Sequence, residues 1–134
     1  MKFLVIILPF IYNYIFLFYR KSNLFKGYKK WFIVLTYLAI GTIYNSQISY
    51  KNNEERIIQI WAFFTPFIFT IYISLCTFIS KRINNRDFKL YLRYSNEIDY
   101  LNPKSANSKT TDKIISYSAI FLALFLPFLV TVFF

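Results

Sequence analysis

The chain has no histidine, one cysteine, two glycines and only 6 acidic residues among 134. Each shortage removes a class of chemistry. With a single thiol at Cys76 and no imidazole, the Cys/His sets that hold structural or catalytic zinc cannot be assembled within one chain. One cysteine also forbids an internal disulfide and leaves the redox compartment unread; in an apolar run it reads as a small buried hydrophobe. Two glycines rule out a Gly-rich phosphate loop. No nucleophile–base pair and no paired catalytic carboxylates can be drawn from what remains. No catalytic, cofactor-binding or metal-ligating residue is therefore assigned, no cofactor is implied, and enzyme activity is not expected.

Apolar and aromatic side chains are what the chain has in abundance. Hydrophobic residues make up 57% and aromatics 23%, against an apolar share of roughly 45–50% in ordinary globular chains. A soluble domain of this length has little volume far from water and could not bury them all. Lipid lifts that constraint. The length allows one domain, 1–134. The net charge of +10 could point to nucleic acid, but the basic residues crowd into two connecting segments and leave long stretches uncharged. That is the pattern of a membrane flank, and no nucleic-acid partner is expected.

The expected fold class is all-α: an integral membrane four-helix bundle with a juxtamembrane amphipathic helix in the third connection. Four apolar runs carry it, over about 3–19, 31–48, 57–80 and 114–134. The first is short, and Lys2 ahead of it resembles the start of a cleaved leader. It ends in Phe18-Tyr19-Arg20-Lys21 without a small-x-small cleavage site, so a retained helix is expected. The third is the strongest, rich in Ile, Leu and Phe. The runs are continuous and do not alternate, which disfavours a β-barrel. Between the third and fourth spans lies the polar segment 81–113. Within it Phe88, Tyr91, Leu92, Ile98 and Leu101 recur at near-helical spacing, with Arg86, Lys89, Arg93 and Glu97 between them. An amphipathic surface helix is expected there, capped by Asn84 or Asn85 and stopped by Asn102-Pro103, and the alternative is a helix packed under the bundle. Thr111 or Asp112 is expected to cap the last span.

Charge orients the bundle. Arg20, Lys21, Lys26, Lys29 and Lys30 follow the first span; Lys81, Arg82, Arg86, Lys89, Arg93, Lys104, Lys109 and Lys113 follow the third. Lys2, Lys51 and Arg56 fall on the other side. Basic flanks stay cytoplasmic, or on the matrix side of an organelle. A plasma (inner) membrane location with both termini outside is expected, an organellar inner membrane being the alternative.

No span holds Asp, Glu, Lys, Arg or His, which counts against a proton-coupled transporter. Thr70, Ser74 and Thr77 share one face of the third span, and Ser116, Ala119 and Ala123 one face of the fourth. Small residues let backbones approach closely in lipid, so both faces are expected to be packing seams; the alternative is a polar lining for a solute. Asn45, Gln47, Glu54, Glu55, Arg56 and Gln59 gather at the outer ends of the second and third spans. They form the candidate recognition patch, or else a solvated turn. Lys81, Arg82, Arg86, Lys89 and Arg93 form the candidate lipid-facing basic face, drawn to anionic headgroups at about 1 kcal/mol each. Pro9, Pro66 and Pro127 interrupt helix hydrogen bonding, and Asn13 needs a partner across helices.

The short loops, the Phe/Tyr/Ile/Lys/Asn bias and the Pro-bearing stretches Thr65-Pro66-Phe67 and Leu126-Pro127-Phe128 resemble the small inner-membrane immunity proteins of pore-forming colicins. The resemblance covers the last three spans, and the additional first span departs from the three-span members. It implies helices that bind another protein within the bilayer. The same bias is similar to that of subunits encoded in very AT-rich organellar genomes. The expected role is a non-catalytic interaction one, as accessory subunit or immunity-type binder, with a membrane-protein partner or a second copy of the chain. A passive channel or small-solute transporter is the alternative.

Overall fold

The computed structural model of the chain describes residues 2–92, 97 and 109–133. Among these the fold is all-helical, with four helices and no strand. They are α1 (Lys2–Tyr19), α2 (Lys29–Gln47), α3 (Asn53–Asn84) and α4 (Thr110–Phe125), which continues through a 3-10 turn at Leu126–Phe128 into α5 (Leu129–Phe133). Two of them, Asn53–Asn84 and Thr110–Val132, are long and apolar enough to cross a membrane; Val5–Tyr19 is apolar but shorter.

α3 is the hub and touches α1, α2 and α4. Its 32 residues correspond to about 48 Å of helix, so it outruns the apolar stretch at both ends. Glu54 and Glu55 sit in its first turn and Lys81 and Arg82 in its last, each sign where the helix dipole favours it. Asn85 ends the helix in the left-handed region, φ 56°, which asparagine tolerates better than most residues. Asn85 is thus a stop for α3, not the start of another helix.

The core lies toward one end of the bundle, because both long connections fold into it. Phe16 and Leu17 of α1, Phe69, Ile73 and Cys76 of α3, and Ile115, Ala119 and Ala123 of α4 meet Phe25 from one connection and Phe88 and Leu90 from the other. Phe16 packs edge-on against both Phe25 and Phe69, with centroids at 5.2 and 6.3 Å. A smaller cluster of Val5, Ala62 and Phe63, with Tyr37 and Tyr44 beside it, joins α2 to the rest.

The three helix prolines behave differently. Pro9 and Pro66 lie inside unbroken helices. Pro127 coincides with the 3-10 turn that interrupts the last helix. A proline leaves unserved the carbonyl four residues before it, which for Pro127 is that of Ala123. The buried Asn13 side chain reaches this carbonyl from α1, Nδ2 to O at 3.5 Å. The cross-helix partner expected for Asn13 is therefore a backbone group that a proline has freed.

The amphipathic helix expected after α3 is not there in the described part of that segment: residues 87–92 form neither helix nor strand, and the Leu92 N–H turns back to the Leu90 carbonyl. Phe88 and Leu90 are buried while Lys89 and Tyr91 are only half-buried, an alternation of period two. Three consecutive N–H groups, of Lys89, Leu90 and Tyr91, donate to Asp112 Oδ1, Glu97 Oε2 and Ser116 Oγ at 3.0, 2.8 and 2.7 Å. Side-chain acceptors have taken the donors a helix would need. The segment is packed into the bundle, as the alternative had it, but as a strap. Ile98 and Leu101, with the Asn102-Pro103 stop, lie outside the described residues.

Gly41 marks the closest approach of α2 to α3, since a methyl placed there would overlap the Phe63 ring and its Cβ. Gly41→Leu should cost about 1–3 kcal/mol through overpacking, read as a lower melting temperature in mild detergent. Adding Phe63→Ala should recover part of the loss; a Gly41→Leu variant as stable as the wild type would remove this contact from the account.

Candidate functional site

The polar chemistry of the molecule is concentrated where the strap crosses the ends of α1 and α4. Two ion-paired carboxylates form it. Arg20, just beyond α1, has its side chain 4% exposed and meets Glu97 in a two-pronged contact, Nη1 to Oε1 at 2.7 Å and Nη2 to Oε2 at 2.9 Å. The same guanidinium donates to the Phe88 carbonyl at 2.6 Å and lies over the Phe88 ring, 4.0 Å from its centroid. Lys21 adds a third contact to Glu97 at 3.0 Å. Asp112, fully buried in the first turn of α4, receives Arg86 Nη2 at 2.7 Å and the N–H groups of Lys89 and Lys109 at 3.0 and 2.8 Å.

Burial alone would push both carboxyls up. The hydrogen bonds and charge of Arg20, with the Leu90 N–H and Lys21, outweigh it at Glu97 and hold that carboxyl below its ordinary value. Arg86 and the Lys109 and Lys89 amides do the same at Asp112. Both acids are kept ionised and saturated with donors. Their chemistry is that of a clamp: each carboxylate ties a helix end to the backbone of the strap.

The expected capping of α4 is realised differently. Asp112 stands at the third position of the first turn and accepts from the Lys109 N–H, so it closes the helix start from inside the turn. The expected basic face is dispersed. Lys81 and Arg82 are exposed at the end of α3, with Arg82 over the Phe78 ring. Lys89 is half-buried in the strap. Arg86 turns inward to Asp112, because a buried carboxylate needs a counter-charge more than the surface needs another cation. Arg93 lies outside the described residues.

The two small-residue faces are both occupied. The Thr70 hydroxyl donates to the Pro66 carbonyl at 2.8 Å, so the 3.0 Å contact with Tyr12 has the tyrosine as donor. Ser74 donates to the Thr70 carbonyl and accepts from Lys30 Nζ at 2.8 Å. Thr77 faces a cavity instead. Ala119 and Ala123 are buried against the core, whereas Ser116 serves the strap: its oxygen receives the Tyr91 N–H. Of the outer patch, Asn45 and Arg56 share the wall of a cavity of about 290 Å³ between α2 and α3. Asn45 is bonded to the Tyr50 hydroxyl. Gln47 and Glu54 are exposed, Glu55 is half-buried, and Gln59 is turned inward and buried.

Sequence reasoning missed Arg20, Lys21 and Glu97 as a unit. Arg20 read as one more flanking cation, and Glu97 as the wet side of a helix. Their separation of 77 residues leaves no local signal, and the only hint was the rarity of acids in so basic a chain.

Among the described residues no group of three or more His, Cys, Asp or Glu is placed to hold a metal ion. No family model, curated protein or solved structure matches this chain.

Removing a partner from a buried ion pair costs about 3–5 kcal/mol. Asp112→Asn should fall near the lower end, since the Arg86 side chain is 28% exposed. Because both folded-state carboxyls lie below their ordinary values, about 3.9 for Asp and 4.3 for Glu, their stabilisation is complete above about pH 5 and is lost as pH falls through the folded values. Melting temperatures taken from pH 7 down to pH 3 should therefore drop for the wild type and stay flatter for Glu97→Gln/Asp112→Asn. Parallel profiles would show that the clamps contribute nothing.

Proposed function

We propose that the chain is a multi-pass α-helical membrane protein whose role is non-catalytic: it binds another membrane protein, as an accessory subunit or an immunity-type binder. The apolar stretches of all four helices, about 3–19, 31–48, 57–80 and 114–134, lie in the bilayer in this reading, and the charged helix ends stand outside it. The connection 20–28 and the strap face the cytoplasm or an organellar matrix, and both ends of the chain face outward.

The observation that carries the reading is the outer surface. Large apolar side chains stand exposed on every helix: Ile11 and Ile15 on α1, Phe32, Leu35 and Ile40 on α2, Leu75 and Phe78 on α3, Phe121 and Leu124 on α4. Less than half of either long apolar window is buried inside the molecule, 44% in α3 and 39% in the last helix. A monomer in water rarely exposes apolar patches beyond a few hundred Å² (about 300–600 Å² at most). Lipid or a partner must cover these faces. α2 supports the reading less directly, since its outer end grows polar through Asn45, Ser46 and Gln47; its exposed Phe32, Leu35, Ile40 and Ile43 are the argument for placing it in lipid.

Charges, by contrast, are gathered at the connections, where the clamps tie the strap down. Along α1 and α4 the surface opens into an apolar groove of about 640 Å³, with Phe10, Tyr14 and Phe18 on one wall and Ile120 and Leu124 on the other. A second apolar helix is the chemistry that fits beside such walls. The hydroxyls of Thr70 and Ser74 are engaged within the bundle, which supports packing over a solute path along that face.

A photoreactive amino acid placed at Ile15 or Leu124 should give one discrete protein adduct in native membranes, while the same group at Phe78 should not. Adducts with lipid alone from all three positions, together with a strictly monomeric species in mild detergent, would end this reading.

A further inference from the structure

Besides the clamps, the strap end of the bundle contains a second polar feature: a cavity of about 500 Å³ between the end of α1, the connection after it, the start of α2 and the end of α3. Its volume lies within the usual range for small-molecule sites, about 300–1,000 Å³. Phe16 and Ile73, both buried, contribute apolar wall. Its rim brings together Arg20, Lys21, Lys26, Lys30 and Lys81 from separate elements, against one acid, Asp87.

These cations are not equivalent. Arg20 and Lys21 are spent on Glu97. Lys30 donates to Ser74 and feels both the attraction of Asp87 and the repulsion of Lys81. Burial is the larger influence on it, and its ammonium is held below the ordinary lysine value. Among the described residues no carboxylate lies within ion-pairing distance of Lys26 or Lys81. Like charges drawn from three elements onto one cavity cost stability unless an anion joins them. Asp87 is the one carboxylate among the lining residues, so the wall offers an acceptor beside the lysine cluster and suits an anion that also carries a donor.

We propose that this cavity binds a phosphate ester carrying a hydroxyl or ammonium group, its phosphate held by Lys26, Lys30 and Lys81 and its donor turned to Asp87. Lysine serves phosphate as a compact point charge and does not demand planar, two-pronged geometry. The same chemistry occurs on a phospholipid headgroup and on a soluble phosphate ester. The site stands at the charged end of the bundle, and its lysines would gather this anion whether or not the helices lie in lipid. The inference therefore goes beyond the membrane reading and does not depend on it.

The test uses the full chain with two probes. Glycerol 3-phosphate is titrated against the chain in neutral detergent, read by the fluorescence of Trp31, whose ring lies 5.6 Å from Lys30 Nζ. Separately, the chain is put into phosphatidylcholine nanodiscs with or without phosphatidylglycerol, and retained lipid is read by native mass spectrometry. Lys26→Gln/Lys81→Gln should weaken binding about tenfold or more, equivalent to about 1.4 kcal/mol. Lys26→Arg/Lys81→Arg should keep most of it. Lys109→Gln/Lys113→Gln removes the same charge from exposed positions outside the cavity and should change little. Binding of glycerol 3-phosphate alone identifies a soluble ligand, and retention of phosphatidylglycerol alone identifies a lipid. No binding of either probe, or equal losses in the two Gln variants, overturns the proposal.

Discussion

The structure depends on a backbone that must find hydrogen-bond partners without forming a helix. Residues 87–92 leave α3, cross the bundle end and turn their Phe88 and Leu90 side chains into the core. Buried amides and carbonyls without partners are costly, and the strap has no neighbouring strand among the described residues to supply them. The partners come from side chains of α3, α4 and the two connections. Asp112, Glu97 and Ser116 accept the N–H groups of Lys89, Leu90 and Tyr91, while Arg20 and Ser80 donate to the carbonyls of Phe88 and Arg86. Polar groups that a membrane protein would find expensive are thus consumed at one end. The helix surfaces beyond are left apolar.

The same arrangement explains why so few acids accompany so many cations. Glu97 and Asp112 each neutralise an arginine and hold a backbone amide at once, so each carries structural work that several surface ion pairs would not match. The remaining lysines are left over from this balance. Those gathered around the cavity after α1 form the strongest local excess of charge, and those elsewhere on the flanks fit the positive-inside asymmetry of membrane chains.

Much of the helical plan was legible in the residues. The apolar runs located all four helices to within a few positions, because continuous stretches of Phe, Ile and Leu of this length exceed what a single strand uses. The ends were less legible. α3 extends past its apolar run into Asn53–Arg56 and Lys81–Asn84, since charges that match the helix dipole allow further turns. The third connection misled in its described part. Phe88, Tyr91 and Leu92 fit a helical period, while Phe88, Leu90 and Leu92 fit an alternating one equally well, and local pattern cannot choose between them. The deciding acceptors lie 7 to 25 residues away along the chain. The clamp itself was invisible for that reason. Thr70 and Ser74 share one face of α3 and bond to carbonyls of their own helix, whereas Ser116 on α4 receives an N–H of the strap, a role its spacing did not signal.

The solvent around the helices decides the account. Spin labels at Leu35 on α2 and Phe121 on α4, two exposed apolar positions, would be compared in nanodiscs by their collisions with oxygen, which concentrates in lipid, and with a water-soluble relaxation agent. The account predicts that oxygen dominates at both positions, while a label at Lys26 favours the aqueous agent. Preference for the aqueous agent at Leu35 and Phe121 alike would show that water, not lipid, surrounds the bundle, and would contradict it.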